Sequence, residues 1–442
     1  MGAKPAKPLE SPWRVTSVEE LPSFDTPGKQ AWINTSAVAD GAMLAGAESG
    51  VVQWWSSAGE PSATRLPNHR AVINCVRALP CGDLYVATSS DKTFSVFSRS
   101  MGKRVQHITA HSRKVHWLIL VPPPTTLAAS GAGHPNAGWT LVTVGNDKQC
   151  MVWDVSTWKC LRSFTHHAAG AYSGVLLNGA AGLVATGDTG GGIHVWNART
   201  GASVLSIPTA HAEWVTGLCH LPARNELVSV SADATVRKWD LATGQCVSKP
   251  AHPCGRCTCI QLVDAANSLF VTSSYSRNFA LWDGGTMECV RRMGLYDKKL
   301  SAVTLLPQDD WQMALAPGKL GVEAVCAGLV APGAVAEGSG PRHVALALGS
   351  LNLSPLLRVR LRIERLGDSA ARAAWDGDAA NETPLEVDSA SAEGFTNPIK
   401  VAAVAGGAVL LLGAAAYFAS STWKQQTQQQ SRQAVSLAKA PR

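Results

Sequence analysis

The chain has 442 residues, 46% of them hydrophobic and only 16% charged, a balance that excludes an intrinsically disordered protein and supplies a sizeable core. Its formal net charge of +7, from 39 Lys and Arg against 32 Asp and Glu, is too small to argue for nucleic-acid binding. Eleven cysteines in an odd, unpaired arrangement fit a reducing compartment better than a secreted disulfide scaffold.

Residues 1–11 read as a disordered N-terminus. They hold no apolar stretch for a signal peptide, and Glu10, Glu19 and Glu20 argue against a transit peptide. Ala6 stands where an N-myristoylation pattern needs Ser or Thr. The next segment, WRVTSV, alternates like a strand.

From about residue 31 an internal repeat dominates. Trp153, Trp196, Trp239 and Trp282 follow one another at 43 residues, each inside an alternating run followed by a short turn and a second run. Phe97 and Trp54 continue the series toward the N-terminus. The long step from Phe97 to Trp153 contains VPPPTTLAASGAGHPNAG, a loop inserted between two strands. A second marker, His69, His111, His167, His211 and His252, keeps nearly the same period. Each unit reads as four short strands separated by turns, with repeats near 31–68, 69–110, 111–166, 167–210, 211–251, 252–295 and 296–365. The last unit is degenerate. KLSAVTLLP supplies its inner strand, a long insertion runs to residue 341, and HVALALGSLNLSPLLRVRLRIER supplies two more strands, leaving WRVTSV to fill the outer place and remove an exposed edge.

These motifs resemble the WD-repeat β-propeller family over roughly residues 12–365. The resemblance implies an all-β, seven-bladed propeller in which a histidine, a strand Ser or Thr, a turn aspartate and the tryptophan form a buried hydrogen-bonded set in each blade. Blade five offers His211, Ser231, Asp233 and Trp239; blade three offers His111, Asp147 and Trp153, with Gly145 at the serine position. Blade two keeps His69 and Asp91 but has Phe97; blade four keeps His167 and Trp196 with Gly190 at the aspartate position; blade six keeps His252 and Trp282 with Ser276 there. Recurrence in register makes these fold residues rather than a hydrolytic triad, because buried polar groups need one another as partners.

Residues 366–399 carry seven acidic side chains and one arginine and read as a flexible acidic linker. Residues 400–423 then read as a single transmembrane α-helix: no charge lies between Val401 and Trp423, and eighteen residues at about 1.5 Å each span roughly 27 Å. Residues 424–442 form a basic C-terminal tail. One late span with no leading signal resembles tail-anchored proteins, which implies a cytosolic propeller on an outer mitochondrial, plastid or peroxisomal membrane in preference to the endoplasmic reticulum.

AHPCGRCTC has zinc-like Cys-x-x-Cys spacing, but a second ligand pair is lacking, so these read as buried thiols and no metal is expected. GDTGGGI reads as a tight turn, since no Lys-Ser or Lys-Thr follows it to cradle a phosphate. No cofactor, nucleic acid or small-molecule substrate is expected. In this family the loops entering the inner strand share a rim with the second-to-third-strand turns. Here that rim carries Arg70, Lys92, Arg113, Lys114, Lys148, Arg256, Arg277, Lys298 and Lys299, with Trp214 as an aromatic anchor, a set suited to acidic peptides. The function expected is a non-catalytic membrane-anchored scaffold that docks protein partners. The alternatives are an exchange factor for a small GTPase at the endoplasmic reticulum and, from WNART at Trp196–Thr200, a substrate receptor of a cullin-type ubiquitin ligase.

Overall fold

The computed structural model describes residues 11–24, 33–39, 42–47, 49–55, 69–124, 136–275, 278–294, 300–306, 342–350 and 356–365. Among them are 27 strands and no α-helix, with one 3-10 turn at Pro222–Arg224.

Strand β1 (Trp13–Phe24) leads into a first sheet of β2 (Ile33–Ala39), β3 (Ala42–Ala47) and β4 (Val52–Trp55). The second sheet is β5 (Ile73–Ala78), β6 (Leu84–Ser89), β7 (Thr93–Ser98) and β8 (Lys103–Thr109); the third is β9 (Val115–Val121), β10 (Thr140–Gly145), β11 (Cys150–Asp154) and β12 (Cys160–Phe164). The fourth holds β13 (Ala171–Asn178), β14 (Leu183–Asp188), β15 (Ile193–Asn197) and β16 (Ser203–Ile207). In the fifth are β17 (Val215–Leu221), β18 (Glu226–Ser231), β19 (Val236–Asp240) and β20 (Cys246–Ser248), and in the sixth β21 (Cys257–Asp264), β22 (Leu269–Ser274), β23 (Asn278–Asp283) and β24 (Glu288–Gly294). The last sheet runs β25 (Leu300–Leu306), β26 (Arg342–Ser350), β27 (Leu356–Arg365) and then β1.

All seven sheets are antiparallel, and the leading strands touch in cyclic order: β2 on β5, β5 on β9, β9 on β13, β13 on β17, β17 on β21, β21 on β25, and β25 back on β2. That closed ring of sheets is the arrangement of a β-propeller. It explains the burial pattern. The middle strands β6, β7 and β22 are buried along nearly their whole length because a neighbouring sheet covers each face, whereas the outer strand β12 is mostly exposed. Between the second and third sheets Phe94, Val96, Val115, Leu118 and Trp153 form one such interface. Between the fifth and sixth, Val228, Val236, Phe270 and Trp282 form another.

The N-terminal strand takes the outer place of the degenerate last unit, with Trp13 opposite Arg365 and Phe24 opposite Leu356. The inserted loop falls between β9 and β10, its residues 125–135 lying outside the described residues. The acidic linker 366–399, the expected transmembrane helix 400–423 and the basic tail also lie outside them. Among the described residues no helix is long and apolar enough to cross a membrane.

Candidate functional site

In the third sheet, Trp153 donates its indole N–H to Thr143 Oγ1 at 2.9 Å, and the same hydroxyl meets His111 Nε2 at 2.9 Å. His111 Nδ1 lies 2.9 Å from Asp147 Oδ1, and the other carboxylate oxygen accepts the Ser112 N–H. Asp147 can only accept, so Nδ1 carries the ring proton and Nε2 accepts from Thr143. Gly145, expected at the serine position, instead makes room: a Cβ there would lie 2.3 Å from His111 Nδ1.

The fifth sheet repeats the set with one correction to the sequence reading. The hydroxyl between His211 Nε2 (2.7 Å) and Trp239 Nε1 (2.8 Å) belongs to Ser229, not Ser231. The two serines share a face of the strand, and Ser231, two residues nearer the rim, instead accepts the Asp233 N–H and donates to the Glu213 carbonyl. His211 Nδ1 lies 3.0 Å from Asp233 Oδ2. Burial holds the imidazole neutral, its pKa lowered to about 4. For Asp233 burial works the other way, but hydrogen bonds from Thr235 and Ala212 outweigh it and bring the carboxyl to about 2. Ser229 is fully buried, so no substrate reaches this Ser-His-Asp array.

Blade four also keeps its carboxylate, two residues before Gly190. Asp188 Oδ2 meets His167 Nδ1 at 3.0 Å, while Thr186 joins His167 Nε2 and Trp196 Nε1. Gly191 turns the chain at φ +86°, where an added Cβ would lie 2.0 Å from the His211 carbonyl oxygen, so the glycine run is a turn under close backbone approach. His194 stands beside this set, and its ligand-type atoms lie within 4.8 Å of those of His167 and Asp188. Both nitrogens of His167 are already bonded to protein partners, however.

Blade six reverses the proton order. His252 Nδ1 accepts the Cys254 N–H at 3.1 Å, so Nε2 donates to Thr272 at 2.6 Å, and Trp282 donates to the same oxygen at 2.7 Å. Ser276 lies outside the described residues. Blade two has lost both hydroxyl and indole: Ala87 and Phe97 stand there, and His69 keeps its Asp91 bond at 3.0 Å while its buried Nε2 has no partner among the described residues. Burial pushes the Cys254 thiol up to about 11 and those of Cys219 and Cys289 to about 12.

These sets also locate the rim. The N–H groups of Arg70, Ser112 and Ala212 donate to Asp91, Asp147 and Asp233, which ties each entering loop to the second-to-third-strand turn of its sheet. Lys92 and Lys148 occupy one turn position at φ +77° and +71°, the place held by Gly191 and Ala234 in the next two sheets. Arg70, Lys92, Arg113, Lys114 and Lys148 are exposed, and none is paired with a described carboxylate. Among the described residues, the rim cations without a carboxylate partner therefore fall on the second and third blades. Arg256 differs, since its guanidinium meets Glu213 at 2.6 Å, and Arg277, Lys298 and Lys299 lie outside the described residues.

Trp214 is half-buried against Tyr172 (ring centroids 5.5 Å apart), and Tyr172 packs on His116 at 4.6 Å. Burial, and then the Lys114 cation, lowers His116 to about 3; burial raises Tyr172 to about 12. The His116–Tyr172 part of this aromatic row was not read from the sequence. Its signal is the second position of each inner strand, where Asn74, Thr216 and Thr258 stand in other sheets. Arg199 of WNART donates to the carbonyls of Ala180, Pro122 and Gly179, so its guanidinium ties the fourth sheet to the third rather than facing an adaptor.

Residues 59–98 and 202–240 match the family model described as WD domain, G-beta repeat. The Nuclear distribution protein nudF of Aspergillus niger is 26% identical over 200 residues, which cover 40% of this chain and 42% of that protein. The Nuclear distribution protein PAC1 of Coccidioides posadasii is 25% identical over 224 residues, covering 47% and 44%. The Cilia- and flagella-associated protein 52 of Bos taurus is 23% identical over 199 residues, covering 45% and 29%. The chain thus spans less than half the length of these relatives. The matched repeats and the recurring His, hydroxyl, Trp and carboxylate sets together support a WD-repeat family for this chain.

Proposed function

We propose that the chain is a seven-bladed, non-catalytic docking platform whose rim over blades two and three binds acidic, aromatic-bearing segments of partner proteins. The observation that carries this is the cluster of five exposed cations, none paired with a carboxylate among the described residues, beside the His116–Tyr172–Trp214 row. Arg and aromatic side chains dominate interface energetics, and a one-signed patch steers an oppositely charged partner. The relatives' names speak of nuclear distribution and of cilia and flagella; what is shared with them is repeats, so only partner binding is carried over. The triple variant Lys92→Glu, Lys114→Glu, Lys148→Glu tests it by cross-linking mass spectrometry in cells. The partners captured by the wild type disappear while the melting temperature stays within about 2 °C; an unchanged partner set overturns the reading.

The charge-free run between Val401 and Trp423 supports a membrane anchor for this platform, with the propeller facing the cytosol. Alkaline extraction leaves the full chain with membranes and releases a chain lacking residues 400–423; release of the full chain contradicts the anchor. With the propeller cytosolic, the Asn34, Asn352 and Asn381 sequons stay unglycosylated, and glycosidase sensitivity contradicts that orientation.

A further inference from the structure

Ser11 begins the described chain and precedes Pro12. Its N–H donates to Glu288 Oε2 at 2.5 Å and its hydroxyl to Asp283 Oδ2 at 2.9 Å. Those carboxylates face each other across the β23–β24 pair of the sixth sheet, and Asp283 is buried. Two residues further on the chain enters the seventh sheet as its outer strand β1. Arg291 adds a second tie, donating to the Val15 carbonyl at 3.0 Å. Ser11 is therefore the joint that fixes the start of the closing strand to the neighbouring blade, and it is held by two acceptors that are both anionic.

A phosphate on Ser11 reverses that attraction. It removes the hydroxyl donor and sets about two negative charges against two carboxylates, one of them buried. Pro12 also restricts Ser11 to extended backbone, the form in which proline-directed kinases read a Ser-Pro pair. We propose that Ser11 is a phosphorylation site for a proline-directed kinase and that phosphate there detaches the start of β1 from the sixth sheet. In the transfer the Ser11 Oγ forms a bond to the γ-phosphorus of ATP, the bond from that phosphorus to ADP breaks, and the hydroxyl proton passes to the kinase's catalytic carboxylate. The rim takes no part, so this stands or falls apart from the docking reading.

The test treats the purified full chain with ATP and a kinase of the MAP-kinase class, maps the modified residue by mass spectrometry, and follows hydrogen exchange of residues 13–24. Phosphate is expected on Ser11, with amide exchange in the first half of β1 rising about tenfold. The variant Ser11→Ala is expected to take no phosphate at this position and to show no rise. In the double variant Asp283→Asn, Glu288→Gln, phosphorylation is expected to raise exchange far less. The proposal is overturned if Ser11 stays unmodified while a peptide of residues 6–18 is modified in the same reaction. It is overturned equally if Ser11 is modified and β1 exchange is unchanged, or if exchange rises to the same extent in the double variant.

Discussion

At the scale of single residues, blades three to six are each held by a buried hydroxyl that serves both an indole and an imidazole. Ser229→Ala leaves the Trp239 indole N–H and the His211 Nε2 without their shared buried partner, so chemical denaturation should show a loss of about 2–3 kcal/mol. Ser231→Ala removes weaker rim bonds and should cost about 1 kcal/mol. Equal losses would contradict the assignment. The sequence alone did not separate these two serines, because residues two apart share a strand face and both are hydroxyls at the end of one strand. The Asp188 substitution was hidden for the same reason: a carboxylate two residues early reaches the same imidazole. What was legible were side chains with a single available role, the tryptophans and histidines of the 43-residue period.

At the scale of elements, the fold depends on a strand far from its partner in sequence. Trp13–Phe24 pairs with Leu356–Arg365 and closes the ring. Removing residues 11–24 strips β27 of its partner and leaves a long unpaired edge, so the shortened chain should melt about 5 °C or more below the wild type and aggregate at lower temperature. Unchanged melting and light scattering would show that β1 is dispensable. This closure was readable because the last repeat lacked one strand and the N-terminus offered an alternating run. The aromatic row was less readable. His116 and Tyr172 come together only through the packing of adjacent inner strands, 56 residues apart; the sequence marks their shared place, second in an inner strand, but not the contact itself.

At the scale of the whole molecule, the buried imidazoles set the response to acid. Burial lowers His211, His220 and His252 to about 4. In the unfolded chain they bind protons near pH 6.5, so between about 6.5 and 4 the unfolded state carries more protons and stability falls as pH is lowered. The melting temperature should drop by about 5 °C or more from pH 7 to pH 5. A flat profile across that window would contradict neutral burial of these rings.

The rim makes a second prediction at this scale, because its charge acts as a field rather than as one contact. The direct measurement is fluorescence anisotropy of the purified full chain with a labelled sixteen-residue Glu/Asp peptide carrying one central phenylalanine, read across a salt series. Binding is expected to be saturable, to weaken steadily with salt and to fall at least about tenfold in the Lys92→Glu, Lys114→Glu, Lys148→Glu variant at unchanged melting temperature. Binding of equal strength by wild type and variant, or no binding by the wild type at low salt, would contradict it.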